Sequence, residues 1–124
     1  MSEIRRIHKQ YIRGTPKKAI VQMVQVSLCH LTSSVVKGIS ASCNKVYVNT
    51  RVIKHVYDKR PAEEFDFLIE HLVAIVKFPT HVYKNKDGKR GSYCFVKEIG
   101  NQKYLCSVET LLRDEQITCE VVTF

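Results

Sequence analysis

The sequence predicts an α+β domain, with N-terminal helices packed on one face of a C-terminal antiparallel β-meander. Three observations predict it. From Ala62 to Lys77, the residues Phe65, Leu68, Ile69, Leu72, Val73, Ile75 and Val76 recur at helical spacing and make one apolar face. Beyond Pro79, short β-forming runs alternate with turn signals at Asp87-Gly88 and Gly100-Asn101. The 124 residues, 44% of them hydrophobic, suit one domain with one core over residues 1–124.

The elements follow in order. Residues 1–18 form a basic arm or short helix, with Ile4, Ile7, Tyr11 and Ile12 near helical spacing and Gly14-Thr15-Pro16 ending it. Residues 19–28 partly alternate and read as a strand, although Thr15-Pro16 also suits a helix start. A short helix is expected from Leu31 to Lys37, capped by Thr32 or Ser33, with Gly38 after it. Ser40 to Asn44 reads as loop and Lys45 to Val48 as a strand. Asn49 or Thr50 then caps a helix that runs to Arg60 and stops at Pro61. In the long helix that follows, Glu63 and Glu64 occupy the first turn and Lys77 the last, as the helix dipole favours. Strands are expected at His81–Asn85, Tyr93–Ile99, Lys103–Glu109 and Ile117–Phe124, with a loop around Arg113-Asp114-Glu115.

Charge narrows the function. Twenty Lys and Arg face twelve Asp and Glu, a net +8. Such a chain attracts phosphate backbones through counterion release, and also acidic proteins. No run reaches the ~18 apolar residues of a membrane span. The N-terminus is charged where a signal peptide is apolar, so a cytoplasmic protein is expected, with no membrane partner. The five cysteines form no CxxC pair and lie mostly among apolar residues, which reads as reduced, buried thiols. No metal-ligand spacing, phosphate-cradling glycine loop or GxSxG elbow occurs, and no cofactor is expected.

Three constellations carry candidate chemistry. Arg51, Lys54, His55 and Asp58 fall on one face of the helix before Pro61, with Arg60 beyond them. An imidazole among cations there suits general acid–base work, and a structural Lys54–Asp58 pair explains the same spacing. Lys84, Lys86, Lys89 and Arg90 mark a basic hairpin, interleaved with Tyr83, Tyr93, Phe95 and Tyr104. Cations beside exposed rings suit RNA, while a basic turn with core-packed tyrosines is the plainer alternative. Strand parity sets Lys97 beside aromatic residues and Glu109 on the next strand, where a Lys97–Glu109 pair would satisfy both charges.

The order of these segments resembles the phage-borne branch of the barnase–EndoU–colicin–RelE group of small ribonucleases. The resemblance is carried by Val46-Tyr47-Val48, by Lys54-His55 through Arg60-Pro61, by Pro79 through Glu109, and by Val121 to Phe124. It implies an endoribonuclease of phage, mobile-element or toxin type that cleaves RNA without a metal by 2′-OH attack on the phosphodiester. It assigns His55 as base or acid, and Lys54, Arg60 and Lys97 as phosphate-facing cations. Glu109 becomes an orienter or second base and Thr123 a polar contact. RNA binding would add Arg51, Lys84, Lys86, Lys89, Arg90 and Tyr93. An acidic inhibitor is an implied partner. A non-catalytic RNA- or DNA-binding module and a protein-interaction domain stay open as alternatives.

Overall fold

The computed structural model describes residues 3–39, 44–84, 93–113 and 116–124. Among the described residues there are four α-helices: α1 (Glu3–Ile7), α2 (Ser33–Ile39), α3 (Thr50–Lys59) and α4 (Ala62–Lys77). A π-helical turn, His8–Ile12, continues α1. Among the described residues six strands, β1 (Gln25–His30), β2 (Lys45–Asn49), β3 (His81–Lys84), β4 (Tyr93–Ile99), β5 (Gln102–Arg113) and β6 (Gln116–Thr123), form one sheet in the order β1-β2-β6-β5-β4-β3. The expected meander is β3 to β6. Its last strand also pairs parallel with β2, which joins the β1–β2 antiparallel pair to the sheet.

Local chemistry explains the boundaries. The Asn49 side chain accepts from Val52 N–H at 3.0 Å and so starts α3. Pro61 cannot continue α3 and opens α4. Gly100 has φ +63°, which the tight β4–β5 turn requires at its first central position. The expected strand over 19–28 begins only at Gln25. Ahead of it the chain is pinned to the start of α3: the fully buried Thr50 hydroxyl donates to the Gln22 carbonyl and accepts from Val24 N–H. Thr50 N–H also donates to the Val24 carbonyl at 2.9 Å, and residues 22–24 belong to no strand. Side-chain competition with the backbone is why apolar alternation alone misplaces the strand start.

The helices cover one face of the sheet. Phe65, Leu72 and Ile75 of α4 and Ile53 of α3 meet Val46, Val48, Phe95, Val108 and Val121 in a single core. The N-terminal arm packs into it as well, through Ile4, Ile7 and Ile12. Cys29, Cys94 and Cys106 carry free thiols, and burial pushes the Cys29 thiol up to about 11. Cys119 is disulfide-bonded. That corrects the expectation of reduced thiols throughout, since a pairing made by the fold leaves no spacing signal in the sequence.

His8 belongs to this packing. It is 9% exposed, sits against the rings of Tyr57 and Phe65, and its Nε2 is buried without a hydrogen-bond partner. Burial lowers its pKa; Arg5 and Arg13 push the same way and Asp66 opposes them. The unfolded chain therefore takes up this proton first, near pH 6.5, and stability falls as pH drops from there toward the folded value. His8→Phe is expected to flatten the dependence of the urea midpoint on pH between about 7 and 5. An unchanged slope would mean that His8 contributes nothing to acid sensitivity.

Candidate nucleic-acid cleft

The site grows from a mismatch in strand length. β6 pairs with β5 only from Ser107 to Arg113, so the first residues of β5 extend past its end. A β-bulge falls at that point: Ser107 pairs with Thr123 but Val108 pairs with Val121, leaving Val122 extra on β6. A bulge re-aims the side chains that follow it. Thr123 thus joins Ser107 on the face away from the helices, while Phe124 turns into the core, 4% exposed.

Two hollows meet at Ser107 and Thr123. One, of about 480 Å³, lies between the α3–α4 junction and the free end of β5, walled by Lys59, Arg60, Glu64, Lys103 and Tyr104. The other, of about 410 Å³, continues over the sheet past Tyr83, Tyr93, Cys94, Glu109 and Val122. Arg60 is held across the first by Glu64 Oε1 at 2.8 Å and by the Phe124 carbonyl at 3.5 Å. Tyr104 stands with its ring centroid 4.8 Å from Phe67, which stacks on His71 at 4.0 Å. The cleft therefore has a cationic end, a hydroxyl-bearing middle and an end carrying a carboxylate and the exposed Tyr83.

The sequence-derived candidates divide by place. Arg60, Glu109 and Thr123 line this cleft; Tyr93 borders it but is only 7% exposed and belongs to the core, so for this residue the plainer alternative of a core-packed tyrosine holds. Arg51 and His55 lie exposed on α3, and His55 precedes Lys59 by one helical turn. Lys84 is exposed at the end of β3. Lys86, Lys89 and Arg90, with the Asp87-Gly88 turn, lie outside the described residues. Lys97 faces the helix side of the sheet, opposite Tyr104, and donates to the Phe78 carbonyl at 2.7 Å. Glu109 projects from the other face, in register with Glu120, so the expected Lys97–Glu109 pair does not form. Counting parity within each strand was sound; relating two strands required their register.

The shared face expected for Arg51, Lys54, His55 and Asp58 also splits. Lys54 is 5% exposed, donates to the Pro16 carbonyl at 2.7 Å and pairs with Asp58. The Asp58 carboxylate also accepts from Lys18 N–H at 2.9 Å. These two charges tie the N-terminal segment to α3. The structural alternative for Lys54 is the arrangement observed.

Sequence reading passed over Lys59, Ser107 and Glu120. Glu120 is 5% exposed, accepts from Thr118 Oγ1 at 2.8 Å and lies opposite Glu109 across β5 and β6. Its signal was present, a single carboxylate within an apolar strand, where an ionisable group needs partners. Among the described residues, no three His, Cys, Asp or Glu side chains gather so as to hold a metal ion. No described helix is long and apolar enough to cross a membrane.

Helices on one side of a mostly antiparallel sheet, with a cation-walled cleft where a central strand stops, are features of a small α+β nuclease. The family model of the phage-Barnase-EndoU-ColicinE5/D-RelE like nuclease3 matches residues 31–124, and the chain belongs to that family. No curated protein and no solved structure matches it.

Proposed function

We propose that the chain is an endoribonuclease that cuts RNA without a metal ion by attack of the ribose 2′-OH on the adjacent phosphate. The observation that carries the reading is the joining of Arg60, Thr123 and Glu109 along one cleft. The 2′ oxygen bonds to phosphorus, the bond to the 5′ oxygen breaks, and the products are a cyclic phosphate and a 5′-hydroxyl. Glu109 takes the 2′-OH proton. Arg60, with Lys59 and Lys103 beside it, stabilises the charge that develops on the phosphorane oxygens. The Ser107 and Thr123 hydroxyls orient the phosphate between these ends. His55, one turn from Lys59, returns a proton to the leaving oxygen. Tyr83, exposed on β3, offers its ring to a flanking base. Lys54 and Lys97, each bonded to a backbone carbonyl, have no part in this chemistry.

The test is incubation with a mixed-sequence single-stranded RNA in EDTA, reading the product ends. Cyclic phosphate ends are expected. Salt-sensitive retention of intact RNA would instead favour a binding module, and cleavage only on addition of a divalent ion would overturn the metal-free step.

A further inference from the structure

The N-terminal arm lies outside the matched residues 31–124, yet it is folded onto the domain and carries a hollow of its own. The hollow, about 440 Å³, lies between the arm and α4 and is lined by Arg5, His8, Lys9, Arg13, Asp66 and Glu70. Arg5, Lys9 and Arg13 recur every four residues, so α1 and the π-helical turn present them together. Arg5 meets Glu70 at 3.5 Å. Among the described residues, no carboxylate lies within ion-pair distance of Lys9 or Arg13, and both are exposed. His8 lines the same hollow with Nε2 buried and unpartnered. A buried polar atom left unpaired is unfavourable and calls for a reason. π-helical turns also recur at functional sites.

We infer that this hollow is a second phosphate-binding site, which holds the backbone of an RNA substrate away from the bond being cut. The inference rests on the ribonuclease reading. Asp66 and Glu70 line one flank of α4, while Glu64 and Leu68 line the cleft on another. About 10–12 Å of helix separates the two flanks. A substrate must therefore extend several nucleotides past the scissile bond to touch both. Lys9 and Arg13 supply the charge, and Asp66 and Glu70 limit it, so contacts with phosphates need not become indiscriminate adhesion. The arm would then set a preference for long RNA without touching the reaction.

The experiment compares wild type with a Lys9→Ala/Arg13→Ala variant, both substituted at exposed positions. Binding of a 20-nucleotide RNA is titrated over a range of salt, and cleavage of that RNA and of a dinucleotide is followed. In the variant the slope of log affinity against log salt is expected to fall by about two, one for each lost phosphate contact. KM for the long RNA rises, while kcat and dinucleotide cleavage stay unchanged. An unchanged slope and KM, with wild type still cutting, would overturn the second site and leave the nuclease reading intact. Failure of wild type to bind or cut either RNA would overturn both.

Discussion

Glu109→Gln is expected to slow RNA cleavage by about 10²–10⁴-fold, the span typical for loss of a positioned general base. RNA binding should stay near the wild-type level. Glutamine keeps the size of the side chain and its place in the cleft beside Tyr83 and Tyr93. It also removes one of two carboxylates that face each other across β5 and β6, a juxtaposition that destabilises a sheet. Lost activity would therefore not follow from lost folding, and thermal unfolding of the variant checks this directly. His55→Ala serves as the paired measurement. If His55 protonates the leaving oxygen, its loss is rescued by an RNA whose leaving group needs no proton, such as a 5′-thio linkage. Glu109→Gln is not rescued by that substrate, because its defect lies in the attack. Full-rate cleavage by Glu109→Gln would remove the base from the proposal and send the search to Glu120.

The long amphipathic helix, the Asn49 cap, the stop at Pro61 and the β4–β5 turn at Gly100 were legible because each depends on neighbours in sequence. The candidate site was legible in part for the same reason. Arg60 sits where α3 must end, and Thr123 and Glu109 lie on strands whose existence is plain. What joins them is non-local. The parallel β2–β6 pair, the bulge at Val122 and the end of β6 partway along β5 have no signature within any one segment. The assumed Lys97–Glu109 pair fails for that reason. Each residue was placed correctly within its own strand, but the register of β4 on β5 sets them on opposite faces. Lys54 was misread differently. A basic residue on a helix suggests a solvated surface, and only the path of residues 14–18 over α3 converts it into a buried tie.

That tie makes the second large prediction. Asp58→Ala is expected to destabilise the protein by about 3 kcal/mol, because it leaves the Lys54 ammonium buried with only the Pro16 carbonyl. Burial alone would raise the Asp58 pKa. The hydrogen bonds from Lys54 and Lys18 N–H, and the charges of Lys54 and Lys17, outweigh it and leave the pKa lowered. A carboxylate whose folded pKa is depressed stabilises the fold above its unfolded value, about 3.9, and loses that contribution as pH falls through the folded value. The gap in urea midpoint between wild type and Asp58→Ala should therefore be full at pH 7 and narrow below about pH 4. Lys54→Met is the complementary variant. It fills similar volume without a charge, and Asp58, the less buried partner, keeps its bond from Lys18 N–H, so the loss of stability should be smaller than in Asp58→Ala. RNA cleavage by Lys54→Met should also be preserved, since a buried structural lysine does not meet the substrate. An Asp58→Ala variant as stable as wild type would mean that Lys54 escapes to water once released. Loss of RNA binding in Lys54→Met would then return this lysine to the phosphate-binding surface.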